Sequence, residues 1–246
     1  MLAGSFDLAA ARYDELWTRS PAGQAQRNAV WRHIEPLFRP GMKILDLGCG
    51  TGEDALHLAD GDVSVRGLDS SSEMVRVARS RGVDATQLAI ENLECLHGVY
   101  DGALSNFGAL NCINRLASLS ESLARLVRPG GYLALCTMGR FCAWETAWYA
   151  LHGKPAKASR RWNGSSFSTS LGIPVYYFSQ KQIRQAFRGR FDLVAWHGIG
   201  VAVPPSFVKG IPAAVTAALA KVDVRVAHRP FLRAFADHRL AILVRR

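Results

Sequence analysis

Apolar residues along this chain keep two alternating rhythms. Short runs rich in branched aliphatic residues, at 43–47, 63–68, 84–89, 102–105 and 132–137, are separated by stretches whose apolar residues recur every three or four positions. Strand patterns alternating with helical ones mark successive βαβ units, whose parallel sheet needs helices on both faces. Two further strand patterns, at 192–197 and 240–244, bring the expected number of strands to seven. Among the helical patterns, 115–127 places Leu116, Leu119, Leu123 and Leu126 on one face and halts at Pro129-Gly130-Gly131. Ser70 with Glu73, and Ser179 with Gln182, stand at capping-box spacing ahead of apolar runs. A helix over 24–38 is expected before the sheet, and one over 212–222 between the last two strands.

The first strand pattern runs into Ile44-Leu45-Asp46-Leu47-Gly48-Cys49-Gly50-Thr51-Gly52. A turn of this kind lets a ligand approach the backbone without a Cβ in the way, at the start of a helix. Asp69 closes the second strand, where a carboxylate accepts the hydroxyls of a ribose. A dinucleotide fingerprint reads G-x-G-x-x-G, whereas this turn reads G-x-G-x-G with Asp46 ahead of it and Glu53 behind. Two carboxylates repel a diphosphate and suit a ligand bearing an ammonium and a sulfonium, as S-adenosylmethionine does. A dinucleotide site and a ligand-free surface turn are the alternatives.

Four segments carry a family resemblance: 44–52, Gly67-Leu68-Asp69-Ser70-Ser71-Ser72-Glu73-Met74, Tyr100-Asp101-Gly102-Ala103-Leu104-Ser105-Asn106-Phe107, and Leu126-Val127-Arg128-Pro129-Gly130-Gly131-Tyr132. Together they resemble the successive motifs of class I S-adenosylmethionine-dependent methyltransferases of the small-molecule type, and the match covers residues 42–138. The resemblance implies an α/β, Rossmann-like, mostly parallel sheet of seven strands with its last strand antiparallel. It also implies S-adenosylmethionine as cofactor, released as S-adenosylhomocysteine. Asp46 and the turn from Gly48 through Cys49 and Gly50 to Gly52 would hold the methionine end, and Asp69 the ribose. Tyr13, with Asp14 and Trp17, resembles the N-terminal segment that folds over the cofactor. Ser70, Met74, Asn92, Ser105, Asn106 and Phe107 complete the cofactor set. Ala89 stands where many members carry the acid that receives the adenine amino group, so Ile90 is assigned as a packing wall and Glu91 as the acceptor.

Charge divides the chain into unequal parts. The protein has 246 residues and a net charge of +10; residues 1–138 carry −3, 139–190 carry +8 and 191–246 carry +5. Residues 139–190 also hold 10 of the 23 aromatics. The expected organisation is one domain: residues 1–41 covering the cofactor, a core at 42–138, an inserted aromatic and basic cap at 139–190, and the last two strands with their helix at 191–246. Aromatic walls and cations suit a small planar or apolar substrate, including one with a carboxylate or phosphate. Asn111, Arg140, Trp144, Trp148, Arg160, Arg161 and Tyr176 are the substrate candidates. His152, His197 and Glu145, the cap's single acid, are the candidate proton acceptors.

Other classes are weakened. No run reaches the roughly 18 apolar residues of a membrane span, and no export signal precedes Asp7. Five cysteines without Cys-x-x-Cys spacing argue against disulfides or a metal site and for a reduced, cytoplasmic compartment. The fourth-strand loop lacks the prolines of base amino-methylating enzymes, and no Pro-Cys dipeptide occurs, so nucleic acid is disfavoured as a partner. The remaining rivals are an RNA or protein methyltransferase using the basic cap, a non-catalytic S-adenosylmethionine-binding module, and an arsenite methyltransferase using Cys112, Cys136 and Cys142. Oligomeric state is not legible.

Overall fold

The computed structural model describes residues 6, 7, 10 and 12–246. The export-signal reading of the first five residues and of 8, 9 and 11 lies outside them. Among the described residues no helix is long and apolar enough to cross a membrane.

Helix α1 (Pro21–Ile34) opens with Ser20, whose Oγ accepts from Gly23 N, and with proline at its first position, where a missing N–H costs nothing. Then come β1 (Lys43–Leu47), α2 (Glu53–Ala59), β2 (Ser64–Asp69), α3 (Ser72–Ser80), β3 (Asp84–Gln87) and β4 (Tyr100–Ser105). After them follow α4 (Leu116–Leu126), β5 (Val127–Met138), α5 (Ala143–Leu151), α6 (Pro155–Ala158), β6 (Ser165–Ser168) and β7 (Ile173–Tyr176). The chain ends with α7 (Gln180–Phe187), β8 (Phe191–Ile199), α8 (Ala213–Val226) and β9 (His238–Arg245).

Seven strands form one sheet in the order β3-β2-β1-β4-β5-β9-β8, with β9 antiparallel to both neighbours and the rest parallel; β6 and β7 form a separate hairpin. Alternation along the strands sorts the core into two faces. Leu45, Leu47, Ala103, Leu133, Leu135, Ala241 and Leu243 point toward α4 and α7. Ile44, Leu104, Ala134, Cys136, Leu240 and Ile242 point toward α1 and Phe38. A small residue faces a larger one across β5 and β9, as in Ala134 opposite Ile242 and Leu135 opposite Ala241, which keeps the layers interlocked.

Three sequence expectations shift. The second helix of the core is capped by Ser71, not Ser70: Ser71 Oγ accepts from Met74 N at 3.1 Å, while Asp69 takes Ser71 N at 2.9 Å and fixes the register one residue later. The helix ends at Leu126 as expected, but β5 begins directly after it at Val127, opposite Tyr100, and takes in Pro129-Gly130-Gly131 within an irregular stretch ahead of the expected strand at 132–137. α7, placed in the cap by the charge count, packs Ile183 and Phe187 into the core beside α4 and β8. The capping box of Ser179 and Gln182 is present in full.

Candidate active site

The parallel strands deliver their C-terminal ends to one edge of the sheet, and an open cleft lies there. Asp46 on β1 is not among the described lining residues: it is buried behind the glycine turn, and its Oδ2 has no hydrogen-bond partner. Burial pushes the Asp46 carboxyl well above its ordinary range; Asp54 pushes the same way and Arg27 opposes. The chain then turns at Gly48, where φ is +74° and a Cβ would stand 2.2 Å from that of Ala109, so only glycine fits. Gly48 N and Cys49 N donate to Leu68 O, and Gly50 N donates to Asp69 Oδ2 at 2.9 Å. Asp69 therefore clamps the turn of β1 to the start of α3, and burial raises its carboxyl despite these backbone donors.

Gly50 faces open space: a Cβ there would meet nothing within 4 Å. Tyr13, Ser70, Met74, Ile90, Glu91, Asn106 and Phe107 complete the expected part of the lining, together with Gly48 and Asp69. Phe6, Ala109, Cys112 and Ile113 also line it. Burial raises the Tyr13 phenol to about 12, so it remains a protonated donor. The N-terminal segment is tied down by Thr51 Oγ1 donating to Asp14 at 2.7 Å and Ser71 Oγ donating to Asp7 at 2.5 Å.

Other expected cofactor residues stand behind the surface. Cys49 packs against the glycine face of β2, where Gly67 leaves it room. Gly52 is the cap of α2 with φ of +84°. Ser105 is buried and donates to Leu47 O. Asn92 sits at a kink in the short turn Ile90–Cys95 and does not reach the lining. Glu53 turns outward and pairs with Arg81 at 2.5 Å, so the second carboxylate near Asp46 is Asp54. Asp54 is buried, ion-paired with Arg27, and accepts from Trp31 Nε1 at 2.7 Å and from Asn106 Nδ2 at 3.1 Å. No sequence spacing distinguishes Asp54 from Glu53; the helix rotation decides it.

The three expected proton acceptors lie elsewhere. Glu145 is 1% exposed, and its oxygens accept from Arg160 at 2.7 and 2.9 Å and Arg161 at 2.6 Å. Burial alone would raise its carboxyl, but the two guanidinium groups hold it below the usual range. It is the centre of an ion cluster, which also occupies Arg160 and Arg161, the latter bonded onward to Asp237 at 2.8 Å. His152 is exposed and folded back on Trp148, its Nδ1 donating to Trp148 O at 2.7 Å. His197 is stacked on His33 at 3.9 Å on the β8 side of the sheet.

The substrate candidates disperse as well. Asn111 is fully engaged: Nδ2 donates to Met138 O and Tyr176 O, and Oδ1 accepts from Met138 N. It thereby clips β5 to the hairpin, with the half-buried Tyr176 packed on the core. Trp144 donates to Ala202 O, and Arg140 lies over Gly164. None of these lines the cleft, because α5 turns its aromatic face to the loop after β8. Cys136 is in the core, Cys142 caps α5 and Cys112 lines the cleft, so the three thiols do not converge. Among the described residues no group of three His, Cys, Asp or Glu is placed to hold a metal.

The lining fits S-adenosylmethionine. Among the described residues it contains Asp69 and Glu91 and no lysine or arginine, and the unpartnered Asp46 Oδ2 is buried on the same β1 strand that leads into the glycine turn, so it matches a cationic nucleoside and opposes a diphosphate.

Comparison with known proteins agrees with this chemistry. A family model described as a methyltransferase domain matches residues 38–193. A demethylmenaquinone methyltransferase of Mycolicibacterium gilvum is 35% identical over 216 residues, covering 80% of this chain and 87% of that protein. The demethylmenaquinone methyltransferase of Corynebacterium kroppenstedtii is 33% identical over 137 residues, 55% of this chain; here the match spans little more than half of the relative, 58%. The fold is shared with Burkholderia thailandensis 1,6-didemethyltoxoflavin-N1-methyltransferase, solved with 1,6-didemethyltoxoflavin and S-adenosylhomocysteine, at a TM-score of 0.62 and 16% identity over 99% of this chain and 87% of that one. With its seven-stranded sheet, its glycine turn and its acid-lined cleft, the chain belongs to the class I S-adenosylmethionine-dependent methyltransferases.

Proposed function

We propose that this protein transfers a methyl group from S-adenosylmethionine to a small, planar, largely apolar acceptor of the quinol or phenol type. The observation that carries this reading is the composition of the cleft: acids and backbone at the β1 and β2 end, and Phe107, Ala109, Cys112 and Ile113 at the β4 end, with no cation among the described lining residues. The cofactor supplies the methyl on a sulfonium, as an electrophile. Asp69 would accept the ribose hydroxyls with the lone pairs its backbone donors leave free. Asp46 and the Gly48 to Gly50 turn would hold the ammonium end, and Ile90 with Glu91 would meet the adenine. Tyr13 and Phe6 exclude water from above, which strengthens each electrostatic contact below.

The curated relatives named for demethylmenaquinone support an aromatic acceptor. An anionic substrate is less well served, because Arg160 and Arg161 are consumed by Glu145 and Asp237. The five free thiols suit the reduced compartment of the cytoplasm.

The test is incubation with S-adenosylmethionine and a short-chain demethylmenaquinol, read by mass spectrometry. S-Adenosylhomocysteine and methylated quinol should appear in equal amounts. Absence of both, with simple phenol and amine acceptors also inert, would contradict catalysis and leave a cofactor-binding module.

A further inference from the structure

A buried histidine outside the expected set occupies the acceptor side of the sheet edge. Because β9 runs antiparallel to β5, its first residue, His238, pairs with Met138 at the end of β5 and so sits among the strand ends that form the cleft. Its ring meets Phe107 edge to face at 5.2 Å and Trp17 at 6.4 Å, and Trp17 meets Phe107 at 5.5 Å. Phe107, which lines the cleft, is held at φ of +45°, a left-handed conformation disfavoured for a bulky residue. Three rings thus form a box directly behind the cleft wall.

The box has unfinished polar contacts. His238 Nδ1 lies 3.4 Å from Asp237 Oδ2, and Gln26 Nε2 donates to the same oxygen at 3.4 Å. Trp17 Nε1, Gln26 Oε1 and His238 Nδ1 are all buried without a hydrogen-bond partner. Asp237 is anchored from the other side by Arg161, at 2.8 Å. Trp17 is the least fixed wall: its indole nitrogen bonds to nothing, whereas His238 is in a strand and Asp237 in an ion cluster.

We propose that His238, with the Asp237 carboxylate beside its Nδ1, is the catalytic residue that takes the proton from the hydroxyl of a planar methyl acceptor, whose ring enters the box by displacing the Trp17 indole. The idea rests on the methyltransferase reading above and assigns the proton acceptor within it. The acceptor O–H bond breaks and its proton moves to His238 Nε2, the nitrogen turned from Asp237. The ring carbon beside that oxygen, made electron-rich by the loss of the proton, forms a bond to the methyl carbon. The methyl–sulfur bond breaks with its electron pair staying on sulfur as a neutral thioether. The ring carbon then loses its own hydrogen to water as a proton, and the oxygen takes its proton back from His238 as the ring becomes aromatic again. The imidazolium formed in between is stabilised by the Asp237 carboxylate. The charged groups around the ring are Asp237 and Arg239 on its own strand or next to it, Arg161 after α6, Glu145 on α5 and, over Phe107, Arg27 on α1. Burial, opposed by Asp237, lowers the His238 imidazole below its ordinary range, which leaves it neutral and able to accept a proton near pH 7.

Two measurements on the full chain decide the matter. With short-chain demethylmenaquinol as acceptor, His238→Gln should lose ~100-fold or more in kcat, lose the acidic limb of the kcat/KM profile, and regain turnover with added imidazole. Its affinity for S-adenosylhomocysteine by calorimetry should stay within about twofold, because His238 is not in the cofactor lining. Wild-type turnover combined with a His238→Gln variant of equal kcat and unchanged pH profile would refute the role of His238 and leave the methyltransferase reading standing. On nitrogen-15 histidine-labelled wild-type protein saturated with S-adenosylhomocysteine, the His238 ring signals, assigned through bonds in the wild type itself, should shift on adding the quinol. Unmoved signals would refute the proposal without any appeal to turnover, and would cover a variant that failed to fold.

Discussion

At the scale of single residues, Asp46 is a group whose folded environment works against its own charge. Its carboxyl is raised by burial, so ionising it costs stability, and the cost grows as pH climbs from the unfolded value near 4 through the higher folded one. Asp46→Asn should therefore melt at a higher temperature than the wild type, by ~1 kcal/mol at pH 8 and by less at pH 5, while binding S-adenosylhomocysteine ~10-fold or more weakly. Melting curves at the two pH values with matched calorimetry check both halves; a variant that binds normally would remove Asp46 from the cofactor site. The residues legible from sequence were those whose task is local. Gly48, Gly50 and Asp69 declare themselves because a tight turn needs positive φ and a strand-end acid caps it. Asp54 and His238 were not legible. The first is separated from Glu53 only by the rotation of α2 against Arg27, and the second acquires its neighbours only when β9 pairs with β5.

Elements show the same division. Seven strands emerged from the apolar rhythm because each buries both faces or one, but their ends moved where pairing, not pattern, sets them, as at Val127. Ser70 was expected to cap α3 because the run of serines contains no local signal to choose among them; the choice of Ser71 comes from Asp69 and Asp7. The stacked His33 and His197 tie α1 to β8 and give a pH signature. Burial depresses the His33 imidazole to about 4, and His197 is lowered too, so the unfolded chain binds more protons below pH 6.5. Stability should fall as pH drops from 6.5 toward 4, by at most roughly 3 kcal/mol from His33. Denaturant titrations of His33→Gln should show a flatter dependence over that window; an unchanged slope would contradict the assignment. On the opposite face, Phe187 at the end of α7 is fully buried against α4 and β8, and Phe187→Ala should cost ~3–5 kcal/mol by the same titration.

For the whole molecule, the +8 segment is the part that sequence misjudged most. Charge and aromatic content suggested a binding cap, yet its single acid draws in two of its nine cations: half-buried Arg160 pairs with Glu145, and the buried Glu145, Arg161 and Asp237 continue the chain from α5 to the start of β9. Charge counts carry no information about which cations are already partnered. Glu145→Gln would leave Arg161 buried with reduced neutralisation, at a cost of ~3 kcal/mol or more, visible as a lower melting temperature; a variant as stable as wild type would show the cluster to be unimportant to the cap.

The central claim is that the acid-lined cleft at the ends of β1, β2 and β4 holds a sulfonium nucleoside through Asp69 and the glycine turn. Calorimetric titration of S-adenosylhomocysteine into the wild type, Asp69→Ala and Asp69→Asn tests it directly, with NAD titrated in parallel. Stoichiometric binding to the wild type, its loss in Asp69→Ala and its marked weakening in Asp69→Asn, with no heat from NAD, is the expected result. Equal affinity in all three proteins, or a wild type that binds NAD and ignores the nucleoside, would contradict it.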